Sequence, residues 1–407
     1  MLKNKLLLFL LCCYAVQSFA QNPLTTIIQD NKAVFGDIFD RPDHYEIQIL
    51  YTQINRTADN SPTFTTFSYG LNEVQYFYPA STVKMPTALI ALEKLNDLGI
   101  VGLDKHTPMR IGSGSSPQTA IQFDSTAENT FPSIAHFIKK IFLVSDNDAY
   151  NRLYEFVGQR ALNEKLWRKG FKNSRIIHRL SAPNYDEITN KYTNPITFYK
   201  GDTILYHQGE VFSKAYPSLG LQREIRGKGY ENKVGKIVYE PFDFTYKNYI
   251  SLQHLHDILK TVLFPASVPE QQRFRLTKSD YALLYQYLSQ TPRAGKYPYF
   301  DKPDGYVKFF LFGGAAEKIP DHIRVFNKVG DAYGFLTDVA YIVDFKNQIE
   351  FMIAATIQVN DNRIYNDGVY EYEEKGFPFF KNLGWLVYNY ELKRNRSFLP
   401  DLSRFRK

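Results

Sequence analysis

Strand-like alternation lies towards both ends of the chain and helical periodicity fills the stretch between, and this ordering limits the fold more than any other feature. Residues 45–54 alternate between apolar and polar side chains. Residues 63–69 follow a polar Ala58-Asp59-Asn60-Ser61-Pro62 turn, so the pair reads as an antiparallel hairpin. Residues 322–328, 335–344 and 349–358 are separated by segments rich in Gly, Asp and Asn and read as a three-stranded meander. An aromatic helix at 379–392 would cover one face of that sheet. Helices are predicted at 23–39, 134–157, 160–170, 251–263 and 278–288. No internal repeat and no long linker divides the chain, so the expectation is α+β: an antiparallel sheet flanked by helices, plus a helical lobe.

A short stretch, Phe77 to Leu89, brings a serine and a lysine together at the start of a helical pattern. From Met85 the apolar residues recur as Leu89, Leu92 and Leu95 until Asn96, Asp97 and Gly99 stop the run. Pro86 fits near the start, where few backbone N–H groups need an intrahelical partner. Ser81 and Lys84, three apart, share a helix face, so the amine can reach the hydroxyl. A serine hydroxyl is a poor nucleophile unaided. A desolvated lysine loses its charge and can accept the serine proton. By itself the pair is more simply a capping serine followed by a solvated lysine. Ser81 is nonetheless the only serine in the chain with a lysine three residues on.

Two further polar pieces invite the same double reading. Ser145-Asp146-Asn147 interrupts the apolar run at 134–157, as a helix cap or as a group in which Ser145 relays a proton and Asn147 binds both substrate and Lys84, with Asp146 bracing the turn. Lys328-Val329-Gly330 ends the first late strand. There the lysine can bind a substrate carboxylate, and the glycine lets backbone and ligand approach. Lys233-Val234-Gly235 repeats those letters, but only the later copy enters the meander.

The remaining features bound the setting. A basic start, an apolar run at 6–16 and the small-residue ending Ser18-Phe19-Ala20 read as a secretory signal over 1–20, too short for a stable membrane anchor. Both cysteines, Cys12 and Cys13, fall inside it, so no disulfide is expected beyond it. The net charge of +7 is dispersed and is no nucleic-acid signature. The 32 Phe and 30 Tyr are read as packing rather than as a sugar-binding surface. Scattered histidines argue against a metal hydrolase: the closest pair, His254 and His256, would face different sides of a helix. No cofactor and no metal are expected.

In order, Ser81-x-x-Lys84, Ser145-Asp146-Asn147 and Lys328-x-Gly330 resemble the three signature elements of the class A serine β-lactamases and penicillin-binding enzymes. The resemblance implies a β-lactamase/transpeptidase-like fold over 21–407, a single two-lobed domain. Its sheet lobe would be 21–76 plus 321–395, and its helical lobe 77–320 with an insertion at 196–246. It also implies Ser81 as acylated nucleophile, Lys84 as its base, Ser145 as proton shuttle, and Asn147 and Lys328 as substrate binders. Gly330 and Asp331 would complete the binding edge, with the backbone N–H groups of Ser81 and Asp331 forming an oxyanion hole.

Three departures accompany it. Val329 stands where the family has Thr or Ser. Asp331 adds a negative charge beside the site. The Glu-Pro-x-x-Asn pattern of the class A omega loop is missing at 179–190, where Asp186 and Glu187 are the carboxylates. The expectation is an exported, monomeric enzyme, periplasmic or secreted, opening β-lactam amides. The alternatives are a D-Ala-D-Ala peptidase or esterase acting on peptidoglycan-derived or related substrates, and a noncatalytic wall-binding or sensor protein.

Overall fold

The computed structural model describes residues 22–214 and 219–406. The segment 1–20 read as a secretory signal, with Cys12 and Cys13, lies outside the described residues. No helix among those described is long and apolar enough to cross a membrane.

The strands from both ends of the chain join in one antiparallel sheet. In chain order these are β1 (Gln48–Arg56), β2 (Pro62–Tyr69), β3 (Ile323–Ala332), β4 (Phe335–Asp344) and β5 (Ile349–Gln358), and their spatial order is β3-β4-β5-β1-β2. β1 pairs with β5 from Gln48 opposite Thr356 to Gln53 opposite Phe351, so the hairpin and the meander become one surface.

Alternation sends the side chains of each strand to two faces. One face, with Tyr51, Leu336, Ile342 and Ile353, packs on the terminal helices Pro23–Asp30 and Phe377–Lys393 through Leu24, Phe379, Phe380 and Leu383. The other, with Leu50, Val339, Val343 and Met352, packs on the middle of the chain through Leu255, Leu259 and Val262 of the helix Leu252–Leu263. Each large side chain taken out of water adds roughly 1.5–3 kcal/mol, which is why a sheet covered on both sides holds its register.

Two predicted boundaries change. The triplet Lys328-Val329-Gly330 does not end its strand. Gly330 and Asp331 still pair with Thr337 and Leu336, and the connection is only Tyr333-Gly334, both at positive φ (57° and 78°). This is the tight hairpin turn that two residues in the left-handed region allow. The helix predicted at 23–39 ends at Asp30; Asn31 donates its side-chain amide to the Ile27 carbonyl (2.9 Å), and a 3₁₀ turn, Lys32–Phe35, follows.

Between the sheet segments lie the helices Lys84–Asp97, Ile134–Val144, Asn147–Val157, Gln159–Arg168 and Lys278–Ser289. The first is buried along almost its whole length, from Lys84 to Leu95. Residues 196–246 form short strands. Ile196–Lys200 pairs with Met109–Ile111 and Thr203–Gln208, and Gly229–Glu231 runs parallel to Ile364–Tyr365, just beyond β5.

Candidate active site

Ser81 does not sit in the α-helix. It lies in a 3₁₀ turn, Ala80–Val83, and the α-helix begins at Lys84. The consequence for reach is favourable, because residues three apart eclipse in a 3₁₀ turn. The Lys84 Nζ is 2.7 Å from the Ser81 Oγ. Ala80 holds φ at +45°, a conformation that an L residue keeps only where its surroundings enforce it.

The enforcing surface is β3. A Cβ placed on Gly330 would stand 2.6 Å from the Ser81 backbone nitrogen, 2.7 Å from the Pro79 oxygen and 2.8 Å from the Thr82 nitrogen. The glycine expected to admit a ligand therefore first admits the serine turn itself.

Lys84 has no exposed surface. Its Nζ lies 2.7 Å from the Asn147 Oδ1 and 3.2 Å from the Ser145 Oγ, and it also donates to the Ser145 carbonyl. Burial, and secondarily the charge of Lys328, hold its pKa well below the ordinary lysine value. The amine is thus disposed to be neutral, with two N–H acceptors in the Ser145 carbonyl and Asn147 and its remaining direction towards Ser81.

Ser145 and Asn147 bracket a break between two helices. Ser145 terminates Ile134–Val144 in the left-handed conformation (φ 57°, ψ 38°), and Asp146 caps the next helix by accepting from the Ala149 N–H (2.8 Å). Asp146 thus braces the turn, which leaves the Ser145 hydroxyl between two amines. Lys328 Nζ donates to the Ser145 Oγ (2.8 Å) and to the Val329 carbonyl (2.7 Å). Burial pushes Lys328 down to about 7 against the opposing pull of Asp331 and Asp338. Beneath it, Lys308, Asn327 and Asp338 form a buried polar cluster: Lys308 Nζ donates to the Asn327 Oδ1 (2.7 Å), and the Asn327 amide to Asp338 (2.8 Å).

Two cavities of about 340 Å³ adjoin these residues and meet at Asp331. One is lined by Ser81, Asn147, Ser181, Asp331 and Tyr333, the other by Ser145, Tyr306, Val329, Asp331 and Phe377. Asp331 borders both. The surrounding protein pushes its carboxyl up from the ordinary value, while Lys328 and Lys84 pull it down.

The seven residues singled out by sequence, Ser81, Lys84, Ser145, Asn147, Lys328, Gly330 and Asp331, thus lie around one cleft. Sequence reasoning missed Ser181, whose Oγ accepts from the Asn147 amide (2.8 Å). It lies in an irregular segment with no periodicity to betray its direction. The carboxylates of that segment are engaged elsewhere. Asp186 caps Thr189 (2.7 Å to its N–H), and Glu187 pairs with Lys191 (3.1 Å). Among the described residues no carboxylate hydrogen-bonds Ser81, Lys84, Ser145 or Asn147. The other Lys-Val-Gly copy lies in a turn, with Gly235 at φ 77°.

The Ser81 hydroxyl and the desolvated Lys84 amine, in contact and set against the edge of an antiparallel sheet, are a nucleophile and a base within reach of each other. Residues 43–220, rather less than half of the chain, match the family model described as Beta-lactamase enzyme family. Residues 43–220 are thus similar to the β-lactamase enzyme family, and the α+β arrangement expected from the sequence, an antiparallel sheet flanked by helices, is the one found. The matched stretch includes Ser81, Lys84, Ser145 and Asn147; Lys328 and Gly330 lie beyond it.

Solved structures similar to the chain include β-lactamases from Desulfarculus baarsii (14% identity, TM-score 0.48, covering 91% of this chain and 99% of that one) and from Sphaerobacter thermophilus (13%, 0.47, 90% and 96%). A class A β-lactamase from Clostridium kluyveri is another (13%, 0.45, 89% and 99%). At these values the likeness carries no argument about chemistry. No curated protein matches the chain significantly.

Proposed function

We propose that the protein is an exported, periplasmic or secreted serine hydrolase that opens β-lactam amides through an acyl-enzyme on Ser81. In this reading the neutral Lys84 amine takes the Ser81 proton as Oγ attacks the amide carbonyl. The backbone N–H groups of Ser81 and Asp331 receive the negative oxygen. The C–N bond then breaks, and the proton passes from Lys84 through the Ser145 hydroxyl to the departing nitrogen. Asn147 and Lys328 hold the substrate. Water finally attacks the ester, releasing the acid and returning the proton to Ser81.

The observation that carries the proposal is the fully buried Lys84 amine 2.7 Å from Ser81, with Ser145 bridging it to Lys328.

A second reading, a D-Ala-D-Ala peptidase or esterase in which the acyl group leaves slowly from β-lactams, is favoured by one contact. The Asn147 amide faces the Ser181 hydroxyl rather than a carboxylate able to activate water. Val329, with no hydroxyl, and Asp331 also oppose a β-lactam carboxylate.

The test is covalent labelling with a fluorescent penicillin, followed by turnover of a chromogenic cephalosporin. Labelling of wild type but not of Ser81→Ala, with turnover, is the expected result. Labelling without turnover selects the peptidase or esterase reading. No labelling of wild type removes the β-lactam assignment.

A further inference from the structure

The role of residues 196–246 becomes legible in a cavity of about 690 Å³ beside the Ser81 cleft. The two spaces share Tyr78, Ser181, Tyr333 and Asn366 in their walls. The far wall of the larger one comes from the inserted segment and the residue that follows it: Tyr230, Lys233, Phe242 and Lys247. That wall is fixed in place. Gly229 and Tyr230 pair with Ile364 and Tyr365, and a Cβ on Gly227 would come within 2.6 Å of the Tyr365 ring.

Two groups in this cavity are incompletely paired among the described residues. The His178 Nδ1 is hydrogen-bonded to the Arg179 carbonyl, so that nitrogen carries the proton and Nε2 presents a lone pair. Nε2 is buried and has no hydrogen-bond partner among the described residues. The ring lies parallel to Tyr78 (3° between planes, centroids 6.1 Å apart). Burial, with Lys247 and Arg175 nearby, pushes its pKa down to about 3 and keeps it neutral.

Lys247 is half-buried, lies 5.8 Å from the centre of the Phe242 ring and makes no ion pair among the described residues. Of the carboxylates in the wall, Asp186 caps Thr189 and Glu187 pairs with Lys191. Glu231 adds a third, but the charges acting on Lys247 and on the imidazole are cationic, those of Lys233 and Arg175. The buried, idle acceptor is costly unless a ligand completes it, and the half-buried ammonium beside it is free of any carboxylate partner among the described residues to meet an anion.

We infer that this cavity is a substrate subsite for a bulky anionic substituent carrying an N–H or O–H donor, Lys247 binding the anion and the His178 Nε2 accepting from the donor. The inference rests on Ser81 as the acylated residue, since the subsite adjoins that cleft. The inserted segment then serves as a specificity wall.

The test reads binding without acyl transfer, by calorimetry on the full chain carrying Ser81→Ala. Hippurate supplies an aromatic ring, an amide N–H and a carboxylate; hippuramide supplies the same without the charge. Hippurate is expected to bind roughly tenfold more tightly. That preference should disappear with Lys247→Met and persist with Lys247→Arg, while His178→Phe weakens both ligands.

Equal affinities for the two ligands, or a preference unchanged by Lys247→Met, overturn the subsite. Affinities indifferent to His178→Phe overturn the part given to the imidazole. Failure of penicillin to label wild type would count against the Ser81 chemistry and would leave these affinities standing as a separate result.

Discussion

In the proposed reaction Lys84 can serve as a base only because it is buried, and its removal isolates that role. In Lys84→Ala the hydroxyl of Ser81 keeps its turn and loses its proton acceptor. Penicillin labelling should slow by roughly 10²–10⁴-fold, while the thermal transition stays cooperative. Labelling at the wild-type rate would remove Lys84 from the chemistry.

The same burial sets the pH response. The pKa is depressed, so the free amine persists to a pH well below the ordinary lysine range and is lost only as pH falls through the lowered value. Labelling followed against pH should therefore decline on the acid side and be flat through the mildly alkaline range. A rate still climbing towards pH 10 would mean an ordinary solvated lysine. Ser145→Ala should lower the plateau and leave the position of the acid limb almost unmoved.

At the scale of elements, the site depends on β3 pressing against the Ala80–Val83 turn at a glycine. In Gly330→Ala the new methyl would meet the backbone of Ser81, Pro79 and Thr82 at 2.6–2.8 Å, where nothing can rotate away. We expect a loss of about 1–3 kcal/mol in denaturant unfolding and a larger loss of labelling, because the separation of strand and turn changes. A variant with wild-type stability and labelling would show the contact to be slack.

This contact also marks what the sequence could and could not disclose. The first strand was readable from the alternation around Tyr51, and the later ones, apolar on both faces at Ile342 and Ile353, from the Gly-, Asp- and Asn-rich segments that separate them. The serine and lysine were readable because a spacing of three works in both α and 3₁₀ geometry, even though the helix starts later than its letters suggest. Lys328 and Lys233 share the triplet Lys-Val-Gly, and nothing local separates a strand edge from a turn. Only the meander around Lys328 did so. Ser181 and His178 were missed because they lie in a segment without period, and their directions are set by Asn147, Arg179 and Tyr78, which belong to different helices and loops.

The molecule as a whole stores several lysines out of water, and their shared signature is a pH-dependent stability. Burial pushes Lys308 and Lys328 down to about 7 and Lys94 to about 8. In the unfolded chain each returns to about 10.4. Between those limits the unfolded chain binds more protons, so stability rises with pH. Above pH 10 the sign reverses, because buried tyrosines such as Tyr76 and Tyr150 are raised and ionise first in the unfolded chain. The urea midpoint should therefore increase from pH 7 to pH 9. Lys308→Met, whatever it costs at pH 7, should flatten that slope. A midpoint falling over this interval would contradict the burial of these amines.

The pairing of β1 with β5 has a further consequence, in time rather than space. A ribosome delivers Gln48–Arg56 early, yet the neighbour that satisfies one of its edges is Ile349–Gln358, close to the last part of the chain to be made. Until then the hairpin offers an open, sticky border to any other strand it meets, and closing so long a loop is slow. The order of synthesis thus leaves the serine turn waiting for the strand that completes it, and a chain cut short before residue 349 would have neither a sealed sheet nor a working cleft.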